Sequence, residues 1–525
     1  MKTRFLLLLL LLVSLANAQS IQVGDVQTGV WDADTVHVVA DVKVADSLTV
    51  APGTVVLFDG FYGILVAEGA SFKAQGAKDD SIRFTVADTT GFSMYNSSKG
   101  GWNGFRVENA GELLLDYCLV EYSKAVDTMD MSGGAMRIEN SDNVVINHST
   151  LRYNRARANG GAVRAVNSHV VMGNCNVNDN EVFNDDNIYA RYGGALSFLK
   201  CDVDLQVLEF LRNRGDGCIG GAISLDSCSV VLDRAVFSDN IALNGGGLYM
   251  MRSNHLPGRL SNLVFDNNYS WHFAGGLAFS DTSPEVYNIL VTNNDSEAVN
   301  CSGIFFYQDS SPRLTNCIVY GNYPEPDEIL QDTVQMWLWT YDGHAPEFRN
   351  CLVEGGTKYI TNGEYIKVFE NILEGNPLFV DAENHDFRLS EGSPCRDAGN
   401  TDVPDFLADG FDLNWIRRVS NDRIDIGPYE YSAASVPSNP AGSQYARLIG
   451  NPLNENSRIE FDYEISGETM VTVYSLTGHK VAAMVLNLDK TNRFEIGALA
   501  ERLASGLYLI EVAGPGRTFT LKAVR

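Results

Sequence analysis

The sequence is short of positive charge. Lys and Arg total 39 against 66 Asp and Glu, a formal net charge of −27. A nucleic-acid binder needs a basic stripe to replace phosphate counterions, and adhesion to anionic lipid needs a polybasic face, so both classes are excluded. Long hydrophobic runs are also missing. Beyond Phe5 to Leu15 no segment approaches about 18 uninterrupted apolar residues, so the mature chain is expected to cross no membrane as a helix. Helix-period patterns are absent, as are CxxC, zinc-type Cys/His spacing, HExxH, GxSxG and a phosphate-cradling glycine loop. Those absences remove structural zinc sites, zinc proteases, serine hydrolases and nucleotide binders. The eight histidines share no register.

What is present is a packed, turn-rich composition. Apolar residues make up 45%, charged residues only 20%, and there are 48 glycines, which suits a β-rich extracytoplasmic protein and not a disordered chain. The N-terminus reads as a secretory signal over 1–18. Lys2 and Arg4 precede the apolar run, and Ala16-Asn17-Ala18 provides a small-x-small site with cleavage expected before Gln19.

Two repeats share one period. Small-residue pairs followed by apolar residues start at Gly133, Gly160, Gly193, Gly220, Gly245 and Ala274, spaced by 27, 33, 27, 25 and 29 residues. Between them run eleven-residue stretches ending in Asn154, Asn180, Asn213, Asn240, Asn268, Asn294 and Asn322, with 346–356 a degenerate copy. Apolar and polar residues alternate after each Gly pair (Met136/Ile138, Leu196/Phe198, Ile223/Leu225), which is strand periodicity. One supersecondary unit near 27 residues long, unable to bury its apolar face alone, must stack on copies of itself. The Gly pairs are expected at corners, needing positive φ or close backbone approach. The terminal Asn residues are expected in the left-handed region, hydrogen-bonded to the next coil as an Asn ladder. Cys175, Cys317 and Cys351 share the sixth position of the unit, where other copies carry Leu208, Ala235 and Ile289, so they are expected as buried thiols in an apolar column. Cys201 and Cys228 each lie twelve residues before a terminal Asn, hence on adjacent coils, and a disulfide between them is the alternative for that pair.

These repeats resemble the right-handed parallel β-helix of the pectin-lyase-like superfamily, and the Gly-Gly-Ala/Asn pattern is similar to that of polymorphic outer-membrane proteins. Val50 to Phe58, Gly63 to Gly69, Ile82 to Thr85 and Gly101 to Phe105 look like opening coils. The resemblance implies an all-β chain with about twelve coils over 19–375. Asn376-Pro377-Leu378-Phe379-Val380, Gly392-Ser393-Pro394-Cys395-Arg396-Asp397-Ala398-Gly399 and Asp425-Ile426-Gly427-Pro428-Tyr429-Glu430 are similar to the choice-of-anchor Q module, and 376–431 is expected to cap the open end of the stack. Pro428 stands where that family usually has Ala, and 412–418 is a loose version of its Asp-rich turn. After a Pro/Ser-rich linker at 432–445, residues 446–525 show short alternating strands expected to form an Ig-like β-sandwich. This tail resembles the type A C-terminal sorting domain of the type IX secretion system through Asn451-Pro452, Val473 to Val481 with Gly478 and Lys480, Gly506-Leu507-Tyr508 and Lys522. That resemblance implies the type IX machinery as a partner, removal of the tail, and release or attachment to the outer face of the outer membrane.

Two constellations are candidate sites. The tenth position of successive units carries Asp179, Arg212 and Asp239, beside an insertion at 181–192 with Asp185 and Asp186. Such a row can hold Ca²⁺ or a sugar acid, and its plainer reading is a solvated ladder of alternating charge. The segment from Asn322 to Pro346 carries Tyr323, Glu325, Asp327, Glu328, Trp337, Trp339 and Tyr341. Aromatic faces beside carboxylates grip sugar rings, while Trp337 and Trp339, or Leu338 between them, can equally be an ordinary coil face. The expected function is therefore a secreted or surface-displayed monomer that binds polysaccharide or another surface and needs no obligatory cofactor. A polysaccharide lyase or glycoside hydrolase on the β-helix face is the alternative.

Overall fold

The computed structural model describes residues 19–432 and 446–524, apart from 128–129, 184–190, 298–300, 323–334, 341–342, 420–421, 450–452, 454–456, 476–479, 501, 504–506 and 515–516. The proposed signal peptide lies outside the described residues. Two compact units are present, 1–230 with 239–252, and 231–238 with 253–525.

In the first unit the chain repeats a three-strand circuit, and each strand pairs in parallel with its equivalent one repeat later. The Gly-pair strands Ile64–Val66, Phe105–Glu108, Met136–Glu139, Val163–Val166, Leu196–Leu199 and Ile223–Asp226 form one ladder. A second joins Ser71–Gln75, Glu112–Asp116, Val144–Asn147 and the first halves of His169–Asn178 and Asp202–Leu211. A third joins Ile82–Val86, Cys118–Glu121, Thr150–Arg152 and the second halves of the same long strands. The coils begin earlier than the clear repeats, because Ser20–Trp31 already pairs in parallel with Thr35–Val50. Alternation sends Ile64, Phe105, Met136, Val163, Leu196 and Ile223 into one column with no exposure. Each such side chain contributes about 1.5 to 3 kcal/mol. The second unit repeats the same circuit, with Leu277–Ser280, Ile304–Gln308, Met336–Thr340 and Ile360–Thr361 in parallel register. This is a right-handed parallel β-helix.

The two glycines of a pair have different tasks. Gly193 has φ 67°, in the left-handed region, whereas a Cβ on Gly194 would overlap the carbonyl oxygen of Gly221 on the next coil. Positive φ and close approach are thus both required, one at each residue.

The Asn ladder is present, with one correction. Asn213 is fully buried; its Oδ1 accepts from the backbone N–H and Nδ2 of Asn180, both at 3.1 Å, and its Nδ2 donates to Val177 O at 2.7 Å and to Asn240 Oδ1 at 3.0 Å. Asn154 and Asn180 repeat the arrangement in the first unit, and Asn268, Asn294 and Asn322 repeat it in the second. Gln335 closes the second run, accepting from Asn322 Nδ2 at 2.8 Å. The left-handed residue is not the ladder Asn but the one before it: Tyr153, Asp179, Arg212, Asp239, Asn267 and Asn293 have φ of 53° to 58°. The preceding residue takes the bend so that the Asn amide points inward to its neighbours.

A second left-handed column occupies position five of the eleven-residue unit: His148, Asn174 and Val207 in the first unit, Arg234, Asn262, Asn288, Asn316 and Asn350 in the second. Val207 is β-branched, and this region disfavours it by about 1 to 2 kcal/mol. The next position is the cysteine column. Cys175, Cys317 and Cys351 are buried there as expected, joined by Cys118, and no S–S bond joins any of the nine cysteines, Cys201 and Cys228 included.

Segment 376–431 does not sit over strand edges at an open end. It lies along the flank of the second unit's coils, where Phe387, Leu389, Cys395 and Ile426 cover the outward residues Val264, Leu290, Ile318 and Leu352. The position-five asparagines fasten it. Asn288 Nδ2 donates to Asp425 O and Gly427 O, both at 3.2 Å, and Asn316 exchanges hydrogen bonds with the backbone of Asn400 at 2.6 and 3.1 Å. Those outward residues are apolar, and covering them gains more than shielding a terminal edge.

The C-terminal residues form a five-stranded antiparallel sheet. The strands of this tail are longer than the short ones expected: Arg458–Ser475 is one strand with register shifts around Ile465 and Gly467, and Lys480–Glu495 is likewise continuous. Ile459, Val471, Val473, Phe494, Ile510 and Val512 make its core.

Replacing Asn213 with Ala strips partners from Asn180 and Asn240 inside the fold. It is expected to cost about 2 to 4 kcal/mol in urea unfolding, against less than about 0.5 kcal/mol for the exposed Glu209→Ala.

Candidate functional site

The charged row forms an ion pair on the surface of the first unit. Arg212 grips Asp179 with two hydrogen bonds of 2.8 Å, and Asp239 adds a favourable field, so Arg212 is held above its ordinary pKa chiefly by the Asp179 bonds. Arg212 is 53% exposed at its side chain. All three residues occupy the left-handed bend before a ladder Asn, which turns their side chains outward. Asp185 and Asp186 lie outside the described residues. Among the described residues no group of three or more His, Cys, Asp or Glu is placed to hold a metal ion. Asp179 is neutralised by an arginine, an arrangement suited to a charge ladder.

The second constellation is broader than the sequence indicated. Alternation in Met336–Thr340 places Met336 and Leu338 inward, with 0% and 1% exposure, and Trp337 and Trp339 outward. The preceding coil does the same: Ile304 and Phe306 face in, while Phe305 pairs with Trp337 and Tyr307 with Trp339 in register. The outward rings pack into a continuous platform. Trp337 stacks on Trp339 at 5.3 Å and 20°, Tyr307 meets Trp339 edge-on at 5.8 Å, and Phe273 stacks on Phe305 at 4.9 Å and meets Trp337 edge-on at 5.2 Å. Trp339 is 46% exposed and Trp337 and Tyr307 half-buried, so the platform offers an aromatic face to solvent on a rigid base. Nearby, Trp271 is 40% exposed and packs edge-on to Tyr269. Tyr341, Tyr323, Glu325, Asp327 and Glu328 lie outside the described residues. Sequence reading missed Phe273, Phe305 and Tyr307, although Phe305-Tyr307 has the same i, i+2 spacing as Trp337-Trp339 one coil later.

The flank segment contains a cavity of about 500 Å³ lined by His385, Asp386, Arg388, Asn414, Tyr429 and Glu430, among others. Its charges are paired locally. Arg388 Nε bonds Asp386 at 2.7 Å, and His385 Nδ1 lies 2.6 Å from Asp266.

Comparison with protein families resolves two regions. A family model described as "Right handed beta helix region" matches residues 198–380, and one described as "Secretion system C-terminal sorting domain" matches residues 449–524. The chain is a β-helix carrying a type IX secretion sorting domain. It is therefore a secreted or cell-surface protein, and the type IX machinery is a partner. No curated protein matches the chain. Of the sorting-domain residues singled out in sequence, Lys480, Tyr508 and Lys522 lie on strands, with Ser475 opposite Tyr508 and Leu509 opposite Lys522. Asn451, Pro452, Gly478 and Gly506 lie outside the described residues. No helix among the described residues is long and apolar enough to cross a membrane.

Behind the flank cavity lies a buried acid cluster. Asp412 accepts from the backbone N–H groups of Asn414, Ile416 and Glu430 at 2.7 to 2.8 Å. Arg418, fully buried, lies 3.2 Å from Glu430 and donates to Gly427 O at 2.7 Å. Burial pushes Asp412 up to about 6, raises Asp425, and raises Glu430 well above its ordinary value, and the Arg418 charge offsets only part of that penalty. An acid whose folded pKa is raised binds its proton more tightly in the folded state. This contribution to stability is full below about pH 4 and is lost as pH rises through about 6. Thermal unfolding of the full chain should therefore fall in midpoint between pH 4.5 and 8, and Glu430→Gln should flatten that slope; an unaltered slope in the variant would show that the cluster does not set it.

Proposed function

We propose that this protein is a binding module, presented outside the cell by the type IX route, that retains polysaccharide on the rings of Phe273, Tyr307, Trp337 and Trp339, which pack around the buried Phe305. The observation that carries this reading is the exposure of Trp339 at the edge of rings ordered by strand register. Sugar rings present apolar C–H faces that stack on such rings, and a platform fixed before binding loses little side-chain entropy. Register-matched rings on successive coils lie 5.6 and 5.8 Å apart, so several contacts can align along one glycan chain. The acidic surface gives neutral polysaccharides the advantage over polyanions, since like charges repel.

Export under this reading starts with a signal peptide cleaved near Ala18, and the sorting domain is removed before release or attachment to the outer face of the outer membrane. The flank segment at 376–431 is a choice-of-anchor Q-like module whose role is to cover the outward apolar residues of the coils.

The full chain should be retarded on a neutral-polysaccharide affinity gel without releasing new reducing or unsaturated ends. The double variant Trp337→Ala, Trp339→Ala should lose at least about tenfold in apparent affinity while keeping the β-rich circular dichroism of the parent; undiminished retention would refute the platform. Export has its own test. Removing residues 446–525 should leave the protein in the periplasm of its type IX-secreting host, and unchanged surface appearance would contradict the role given to the tail.

A further inference from the structure

One turn of the first unit contains a ladder of small hydrogen-bonding residues in which serine gives way to cysteine. Ser141 Oγ donates to Glu139 O at 3.0 Å and accepts from Ala110 N at 3.0 Å; on the next coil Ser168 Oγ donates to Val166 O at 2.8 Å and accepts from Ser141 N at 3.1 Å. The two following coils place Cys201 and Cys228 at this position. Their thiols keep the serine orientation, donating to Leu199 O and Asp226 O, both at 3.3 Å. The backbones are locked in register around them, with Lys200 N bonded to Asp226 O at 2.9 Å and Ser229 N to Cys201 O at 3.0 Å. Register-matched residues on neighbouring parallel strands lie about 4.8 Å apart, inside the 4.4 to 6.8 Å range of Cα separations that a disulfide spans. Turned away from Asp226 O, the Cys228 S–H can instead donate to the Cys201 sulfur.

Cys317 and Cys351 also occupy matched positions on adjacent coils, with Cys317 N bonded to Cys351 Sγ at 3.4 Å. Both have no exposure and stand in the column facing the apolar interior, where burial raises the Cys317 thiol far above its ordinary pKa. An exchange reagent has no path to either sulfur there. Cys201 differs. It is 4% exposed at the turn, and the hydrogen bond from Cys228 and the Arg164 guanidinium, itself tied to Ser197 Oγ at 2.7 Å, draw its thiol pKa down.

We propose that Cys201 and Cys228 are a modification site that closes a coil-to-coil disulfide when the exported chain meets a disulfide donor, while Cys317 and Cys351 stay reduced. The donor is a protein or small-molecule disulfide. The Cys201 thiolate attacks one donor sulfur, forming a mixed disulfide and expelling one donor thiolate. Cys228, itself unexposed, then passes its proton to the departing donor sulfur as it attacks the Cys201 sulfur, releasing the second donor thiol. One S–S bond joins the coils, and the donor takes up the two electrons.

The test is thiol titration of the full chain, exposed to oxidised glutathione while folded and then denatured without reductant, alongside peptide mapping. The nine titratable thiols should fall by two, with the link found between Cys201 and Cys228. The Cys201→Ser, Cys228→Ser variant, which restores the residue this turn carries at 141 and 168, should fold and lose no thiols to the oxidant. Nine thiols after oxidation, or a link between Cys317 and Cys351, would overturn the proposal.

Discussion

Parallel in-register stacking is the constraint from which the rest of this protein follows. A coil cannot bury its own apolar residues, so each depends on the next copy presenting the same residue type at the same place. The ladder asparagines enforce this, because each amide bonds its counterpart one coil away as well as the backbone, and a slipped coil would leave buried donors and acceptors unpaired. The bend residue ahead of each Asn frees the amide to point inward. The second glycine of each pair lets the backbones close to ladder distance.

Stacking also dictates what the outside can be. Any outward position becomes a row, and a row of like charges is unfavourable. In the first unit Arg106, Arg137 and Arg164 fall in one such row, and Asp130, Glu108 and Glu139 lie against the first two members. The Asp179 and Arg212 pair resolves the same problem with alternating sign. In the second unit the row is aromatic, and the same rule that crowds charges becomes useful: rings in register pack edge-on or tilted against one another and hold Trp339 exposed on a fixed base. Elsewhere in that unit the outward row is aliphatic and is covered by the flank segment.

Sequence legibility followed periodicity. The Gly pairs, the terminal Asn and the strand alternation recur often enough that coil architecture, the cysteine column and the ladder could be read from them. The conformation of the ladder Asn could not, because Asn suits either the bend or the ladder, and only the variety before it (Tyr153, Asp179, Arg212, Asp239) shows where the left-handed residue lies. The flank segment was misplaced as an end cap since its sequence resembles modules that follow β-helices. The clue to its true position was the run of Asn262, Asn288, Asn316 and Asn350 at position five, which has backbone partners only when the segment lies alongside. Trp337 and Trp339 were legible as an alternating pair, but the platform depends on Phe273 and Phe305, whose distance in sequence hides their adjacency.

The consequence of register is that coils are interchangeable units. Its most direct measurement is the urea-unfolding profile of a chain lacking residues 181–213, the 33-residue span that separates one ladder Asn from the next. The deletion joins Asn180 to Arg214, so Asn180 then meets Asn240 through the partner atoms Asn213 had used. A cooperative transition and β-rich circular dichroism are expected, both abolished when only half of that span is removed. Equal damage from the two deletions would contradict it.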